Sequence, residues 1–371
     1  MLVEKKGNIS VVFVHGRPSG HPIHMTYAKL LNSDLHFEDY YLPWLNNVNA
    51  TKIRRYSSWI VNALFFPNRK KYDIFFCECL RVPPLIMKKM GLMKPNQKLI
   101  ALMADESLYF LDKGKYSWLT STLIKNFLNS CDAIFCIGDL QYNLALKYTK
   151  NINHKNILKI YNGIDLDLQK KLNNVNRISE QTIRLIVVAN LGASWRAWYK
   201  GVDIAIAAFV KAVSVKNDVE LSIVGEVSND VKEDLLKNVP PIFLSKIRFL
   251  GSVNKLESIL DEIDICIHVS RGDAFPTSTI ECMAAGIPTI VSHVTGTKSI
   301  VELAESRFVV DVDIDQTYHA IMHYINLSQS DKLLLRLKFK KVTKNINSDI
   351  SNKHFKELFY LKVRNLYGKE V

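Results

Sequence analysis

Long apolar runs are missing from this chain of 371 residues: none approaches the roughly 20 residues that a membrane-crossing helix needs. The start, MLVEKKGNISVVFV, has neither the extended apolar stretch nor the cleavage site of a secretory leader, so a cytoplasmic protein is expected. Cysteine is scarce, with Cys77, Cys79, Cys131, Cys136, Cys266 and Cys282 each inside an apolar segment. That placement excludes a disulfide framework and reads as reduced core thiols. Cys77-x-Cys79 finds no second Cys or His pair at zinc-finger spacing, which argues against a structural metal. Also absent are G-x-x-x-x-G-K-[ST] and G-x-G-x-x-G, which withdraws support from kinases, ATPases and dinucleotide oxidoreductases. The nucleophile elbow G-x-S-x-G is missing too, and there is neither a repeat of fixed period nor a low-complexity tract.

What is present is a globular composition, 48% hydrophobic and 23% charged, in a chain long enough for two domains with a core each. The net charge of +13 is unevenly spread. Residues 1–162 hold 22 Lys and Arg against 11 Asp and Glu, an excess of 11, while residues 163–371 hold 27 against 25, an excess of 2. A solvated basic face accounts for this. An anionic partner does so equally: a membrane surface, a phosphorylated acceptor or nucleic acid.

From residue 183 onward short β-rich runs alternate with helical patterns. Residues 184–191, 219–224, 247–250, 264–270, 289–292 and 308–312 read as strands, and 202–213, 231–238, 255–262 and 278–285 as helices. Such alternation predicts a parallel sheet with helices on both faces, whose ligands sit beyond the carboxyl ends of the strands. In the first half, 9–14, 72–77, 99–103 and 133–137 read as strands of a second Rossmann-like domain. The boundary falls at Tyr161-Asn162-Gly163-Ile164-Asp165 and the polar stretch to Gln181, which divides the chain into domains 1–160 and 161–349. A last helix, about 350–371, is expected to cross back to the first domain.

The most informative stretch is 271–288, RGDAFPTSTIECMAAGIP, where Asp273 and Glu281 stand eight positions apart. Ser278-x-x-Glu281 has the spacing of a capping box, in which the two side chains satisfy free N–H groups at a helix start. The alternative is that Glu281 accepts hydrogen bonds from a ribose while the amides of 277–279 face a pyrophosphate, as the positive end of a helix favours. A cap explains Ser278 but leaves the preceding Gly-Asp-Ala-Phe-Pro turn unexplained, which favours the ligand. Lys200 opens a helix after an early strand, with Arg196 four residues before it. Two cations at a strand end neutralise a departing diphosphate without a metal, whereas a solvated loop with two packed tryptophans, Trp195 and Trp198, is the plainer account. Asp165-x-Asp167 and Asp311-x-Asp313-x-Asp315 have the spacing that holds Mg²⁺ or Mn²⁺, but they fall in the interdomain stretch and after a late strand. Surface turns are expected there, and no metal.

Taken in order, these segments resemble retaining glycosyltransferase family 4. The residues that carry the likeness are Asn162-Gly163-Ile164-Asp165, Lys200-Gly201-Val202-Asp203, Val224-Gly225 and Phe249-Leu250-Gly251, then the strand 264–270. Asp273-Ala274-Phe275-Pro276 and Glu281-Cys282-Met283-Ala284-Ala285-Gly286-Ile287-Pro288 complete it. The resemblance spans most of 160–312 and implies the GT-B fold, two Rossmann-like domains facing each other across a deep cleft. It implies that Glu281 binds the ribose of a nucleotide donor and that Asp273, standing for the family's first Glu and one methylene shorter, contacts the donor sugar. The backbone of Phe275, Pro276, Thr277, Ser278 and Thr279 would hold sugar hydroxyls and diphosphate, with Gly225 at a neighbouring strand end. Lys200 would stabilise the leaving diphosphate. The family's arginine five positions before that lysine is Trp195 here, so Arg196 becomes its candidate partner. In the first half, Gly16 falls where the family has a glycine-rich loop near the donor phosphates, and Arg17 adds a cation. Asp105 stands where the family often has a His near the reacting carbon; helix capping explains it equally well.

The expected activity is metal-independent transfer of a sugar from a GDP- or UDP-linked donor to a hydroxyl of a glycan, lipid-linked or protein-linked acceptor, with retention. A nucleotide-sugar epimerase, a sugar transferase acting on DNA and a non-catalytic nucleotide-sugar-binding module are the rivals; nucleic acid is disfavoured as a partner. Residues 51–66, TKIRRYSSWIVNALFF, mix cations with aromatics in a pattern that either lies on anionic headgroups, giving peripheral membrane contact, or is a core helix with a basic flank.

Overall fold

A computed structural model describes residues 9–16, 22–32, 35–42, 52–175 and 182–368. The chain divides into two compact units, one of residues 1–161 with 352–371 and one of residues 162–351. Arg17 lies outside the described residues.

The first unit holds six parallel strands, β1 (Ser10–His15), β2 (His36–Tyr41), β3 (Ile74–Glu78), β4 (Lys98–Met103), β5 (Ala133–Ile137) and β6 (Ile157–Ile160), in the order β2-β1-β3-β4-β5-β6. The second holds six more, β7 (Ile183–Val188), β8 (Val219–Val224), β9 (Ile247–Gly251), β10 (Ile265–His268), β11 (Thr289–Ser292) and β12 (Val309–Val310), in the order β12-β11-β10-β7-β8-β9. All neighbours pair in parallel. Strands covered on both faces are mostly apolar along their length, and β1, β3, β5 and β10 are buried from end to end. Each sheet reverses direction once, between β1 and β3 in the first and between β7 and β10 in the second.

Register is set by the same device in both units. An aspartate immediately before a strand accepts from a backbone N–H of the adjacent strand: Asp73 from Ser10 at 2.9 Å, Asp132 from Leu99 at 2.7 Å and Asp264 from Arg184 at 2.9 Å. A carboxylate bonded to a backbone N–H fixes one alignment, because a slip of one residue would break it and turn every side chain to the wrong face.

The segment at the unit boundary is pinned by backbone. Ile164 N–H donates to the Ile346 carbonyl at 3.3 Å and Ser348 N–H to the Ile164 carbonyl at 2.7 Å. A Cβ on Gly163 would lie 2.1 Å from the Asn347 backbone, so only glycine fits. Helix Ser348–Tyr367 starts here. Its Phe355 and Phe359 rings pack on Phe76 and Phe135 of the first sheet, and the Tyr367 hydroxyl donates to the Asp73 carbonyl at 2.8 Å.

Several expectations change. The first sheet also contains β2 and β6, which the sequence did not mark: β2, His-Phe-Glu-Asp-Tyr-Tyr, is an edge strand with no buried position and so lacks an apolar run. The expected strand 184–191 ends at Val188, and 308–312 shrinks to Val309–Val310 because Phe308 closes a 3₁₀ turn. Residues 255–262 give only the short helix Glu257–Leu260. Residues 194–199 form a helix rather than a loop, and Trp195 and Trp198 are half exposed rather than packed away. All six cysteines are buried and unpaired.

Phe355→Ala should cost the first unit about 3–5 kcal/mol, the usual range for emptying a buried phenylalanine site. Hydrogen exchange should then quicken in β3, β4 and β5 and stay unchanged in β7 and β8.

Candidate active site

Ligands of open parallel sheets settle outside the carboxyl ends of the strands where the order reverses. In the second unit that point lies between β7 and β10, and the segments following these strands interlock. After β7 the chain forms helix Ser194–Tyr199 and turns at Gly201 into helix Val202–Val215. Gly201 has φ of 71°, and a Cβ on it would lie 1.8 Å from the Val269 carbonyl oxygen. A side chain is thus barred twice, by conformation and by space. This approach delivers Lys200 to the loop after β10, where its ammonium pairs with Asp273. Other bonds clip the same two segments together. Arg271 N–H donates to the Tyr199 carbonyl at 2.8 Å, and the Tyr199 hydroxyl donates to the Gly272 carbonyl. The Arg271 guanidinium donates to both Asp203 oxygens, at 2.8 and 2.7 Å, and stands 4.6 Å from the Trp198 ring centroid.

Asp273 is buried and held through nearly every polar atom it has. Its N–H donates to Ser270 Oγ at 3.1 Å, and its carbonyl accepts from the Gly296 N–H at 2.8 Å. Gly296 is another compelled glycine, since a Cβ there would sit 1.5 Å from the Ala274 carbonyl oxygen. Behind it runs a chain of buried hydroxyls: Ser270 Oγ lies 2.9 Å from Thr295 Oγ1, which lies 2.9 Å from Ser292 Oγ. Asp273 Oδ2 takes the Lys200 ammonium and also faces His268 Nε2 at 3.0 Å. Burial opposes ionisation of this carboxyl, but the Lys200 charge and the His268 ring outweigh it and hold the group well below the usual carboxylate range. His268 was not among the sequence candidates. A lone polar residue in an otherwise apolar buried strand, five positions before an acid, is the signal that would have found it.

Helix Thr277–Ala284 begins four residues after Asp273, with Pro276 as its N-cap and no side-chain cap. Ser278 is therefore inside the first turn and Glu281 beyond it, so the capping box is not formed. Proline at the cap displaces it by two residues. Thr279 uses its N–H and hydroxyl on the Pro276 carbonyl, at 3.1 and 2.7 Å. The first-turn N–H groups of Thr277 and Ser278 have no intrahelical acceptor, as at any helix start, and both residues are partly exposed. Phe275 and Pro276 are buried beside them. Glu281 follows one turn after Thr277, and its carboxyl has no hydrogen-bond partner among the described residues. Burial raises its pKa, and the nearby Glu257 charge adds to the effect.

The other candidates fall as follows. Arg196 shares a helix with the residues leading to Lys200, but its Nε donates to the Asn190 carbonyl at 3.2 Å and its guanidinium lies 5.5 Å from the Trp195 ring centroid. It makes no bond to Asp273. Gly225, at the end of β8, crosses the chain after β7 so closely that a Cβ would lie 2.0 Å from the Ala189 carbonyl oxygen. Next to it is an open pocket of about 590 Å³ whose lining includes Glu226, Ser228, Lys232, Phe249 and Gly251. Neither Asp273 nor Glu281 lines that pocket. In the first unit, Gly16 follows β1 at the corresponding reversal, and its N–H donates to Glu78 Oε2 at 3.0 Å. The same oxygen holds Arg81 at 2.9 Å, a buried pair that sequence reasoning did not single out. Asp105 accepts from Ser107 N–H at 3.1 Å and from the Ser107 hydroxyl at 2.5 Å, two residues before helix Ser107–Asp112, whose N-cap is Glu106.

The spaced acids have structural tasks. Asp165 caps helix Leu166–Asn173 and Asp313 caps helix Ile314–Ile325, while Asp167 pairs with Lys170, Asp315 with Lys211 and Asp311 with His293. Among the described residues no group of three or more His, Cys, Asp or Glu is placed to hold a metal ion.

Residues 183–326 match the sequence profile of the family described as glycosyl transferases group 1, a segment that takes in Lys200, Asp273, Glu281 and Gly296 together. No curated protein sequence matches. Among solved structures, HepE from Anabaena with UDP and glucose is 13% identical at a TM-score of 0.66, covering 95% of this chain and 99% of that one. WaaG, a glycosyltransferase involved in lipopolysaccharide biosynthesis, is 16% identical at 0.65, covering 94% and 99%. Sucrose-phosphate synthase from Thermosynechococcus elongatus is 12% identical at 0.71, covering 97% and 100%. The fold is thus the two-sheet GT-B architecture, and residues 183–326 are similar to a glycosyl transferases group 1 domain.

Glu281 also leaves a mark on stability. Its carboxyl has a higher pKa in the fold than in the unfolded chain, so the unfolded state surrenders the proton first. Its contribution is therefore full below the unfolded value and lost as pH rises through the folded one. Glu281→Gln should raise the thermal midpoint at neutral pH, and the gain should vanish as pH falls through the carboxylate range.

Proposed function

We propose that this protein transfers a sugar from a nucleotide-diphosphate donor, GDP- or UDP-linked, to an acceptor hydroxyl with retention of anomeric configuration and without a metal. The observation that carries the reading is the Lys200–Asp273 pair, set at the sheet reversal beside an open helix start and the unpartnered Glu281. Glu281 accepts hydrogen bonds from the ribose. The first-turn amides of Thr277 and Ser278 and the Lys200 ammonium take the diphosphate, where positive partial charge counters what builds up as the bond breaks. Asp273 accepts from a hydroxyl of the donor sugar. The pocket beside Gly225, with the Phe249 ring on its wall, takes the nucleoside end. UDP in the HepE structure agrees with a nucleoside-diphosphate donor.

Retention follows from a front-face course. The bond from C1 to the diphosphate oxygen breaks, the acceptor oxygen bonds to C1 on the same face, and the acceptor proton passes to the departing phosphate oxygen. No carboxylate is needed as a nucleophile; Asp273 is already engaged by Lys200 and His268. Donor screening by thermal shift identifies the nucleotide, since binding raises the midpoint with occupancy. Glu281→Ala should then weaken donor binding by about 10- to 100-fold, as loss of hydrogen bonds to a charged group implies. NMR of the product should show the donor's anomeric configuration, and an inverted product would sink the mechanism.

One surface favours a lipid-linked acceptor at a membrane face. Helix Lys52–Leu64 turns Trp59 and the following Phe66 inward, but Ile60, Val61 and Leu64, with Phe65 at 77% exposure, point outward. An outer face of this kind is the reverse of an ordinary surface helix. Arg69 closes the helix end by donating to the Ala63 and Leu64 carbonyls, which sets one cation beside Phe65. Apolar insertion flanked by cations suits anionic headgroups. Vesicles rich in phosphatidylglycerol should sediment the protein and phosphatidylcholine vesicles should not. Ile60→Ser with Phe65→Ser should cut the bound fraction roughly tenfold; equal binding by both proteins would remove the membrane from the proposal.

A further inference from the structure

Two groups converge on one oxygen of Asp273, and they differ in freedom. Lys200 reaches it from the end of a short helix, on a long flexible stem with its side chain 14% exposed. His268 reaches it from within β10, on a short stem 3% exposed, with Nε2 3.0 Å from Oδ2. A diphosphate arriving at the open helix start competes for the ammonium, because a doubly charged group offers more than a carboxylate already shared. It cannot recruit His268, whose ring is fixed in the sheet. We infer that His268 is a positioning residue: it keeps Asp273 in place when Lys200 turns to the diphosphate, leaving Oδ1 free for one hydroxyl of the donor sugar.

The geometry explains why the shorter acid works at this position. A glutamate extends one methylene further and can be steered by its own stem. An aspartate sits close to the backbone, here tied through its N–H to Ser270 and its carbonyl to Gly296, so only its two side-chain torsions remain open. One donor from the strand behind restricts both. Asp273 is acceptor-only when ionised, so Nε2 must carry the proton in the hydrogen bond. The consequence is selectivity. A carboxylate with one committed and one open oxygen accepts a single sugar hydroxyl, and a donor lacking that hydroxyl leaves the open oxygen without a hydrogen-bond donor.

This inference rests on the proposed sugar transfer, and its test has two arms that fail separately. The first needs no donor. Nitrogen-15 NMR of the ligand-free protein should show His268 protonated at Nε2; a ring carrying its only proton on Nδ1 overturns the inference whatever the protein's activity. The second measures binding of a nucleoside diphosphate and of its sugar conjugate to wild type, His268→Phe, Asp273→Asn and the double variant. His268→Phe should weaken the conjugate by roughly tenfold, with the bare diphosphate changed far less. It should add nothing in the Asp273→Asn background, since a residue acting only through Asp273 cannot be lost twice. His268→Gln, whose amide nitrogen falls near the Nε2 position, should restore most of the loss and serves where the Phe variant does not fold. Equal losses for diphosphate and conjugate, or additive losses in the double variant, would assign His268 to the core alone. Absence of any diphosphate binding by wild type would count against the sugar-transfer reading, with the NMR arm still deciding the His268 contact.

Discussion

The second unit depends on how closely Gly201 lies against the Val269 carbonyl. Helix Val202–Val215 could start at many distances from β10 without harm to its own hydrogen bonds. With a side chain at 201 the helix start and the strand end would separate, and everything the approach brings together would part. Lys200 would lose Asp273, Tyr199 would lose Gly272, and Arg271 would lose the Asp203 fork. Two more backbone crossings repeat the arrangement at Gly225 against Ala189 and at Gly296 against Ala274. Three glycines thus hold the loops after β7, β8 and β11 against their neighbours, and the site is assembled from backbone before any side chain acts.

The charges then become tolerable in one geometry only. A carboxylate as buried as Asp273 is costly unless it is paired and hydrogen-bonded, and removing one partner of such a pair typically costs about 3–5 kcal/mol. Here Lys200 and His268 share the task, so the carboxylate stays ionised at the foot of a helix start where a ligand's charge is also welcome. Glu281 is the contrast. It has burial without a partner, and its pKa moves up where that of Asp273 moves down. Two acids of one motif are therefore in opposite states of need: Asp273 is satisfied by the protein and Glu281 awaits a ligand.

How far the sequence disclosed this depended on where the signal lies. Continuous apolar runs such as Leu-Ile-Val-Val and Ile-Phe-Phe-Cys announce buried parallel strands, and the alternation with helices announces the two sheets. Edge strands carry no such run, which is why β2 was invisible. The acid pair was legible because packing alone seldom sets acids beside a Phe-Pro turn and a hydroxyl run. The capping box was misplaced because proline supplies a helix start without a side-chain cap. His268 and Arg271 were missed for another reason: each acts through a residue distant in sequence or hidden in a strand. A polar residue in a buried strand marks His268 as unusual without naming its partner, and spacing along the chain does not report the fork from Arg271 back to Asp203.

The first unit has a different strand order and takes the opposite electrostatic route at its own reversal. Its reversal point, between β1 and β3, also holds a glycine and an acid, Gly16 and Glu78. There the cation, Arg81, is buried against the acid, and a Cβ on Gly16 would lie 2.3 Å from its guanidinium. A guanidinium buried between a carboxylate and the Leu80 carbonyl has little freedom to turn toward a ligand, whereas an ammonium on a four-carbon stem can exchange partners. The difference divides the work between the two reversals. The pair in the first unit fixes where the chain leaves β1, and the pair in the second unit keeps a cation that can be redirected. Charge neutralisation in the proposed transfer therefore belongs to Lys200, because it alone of these two cations can leave its carboxylate while that carboxylate stays held.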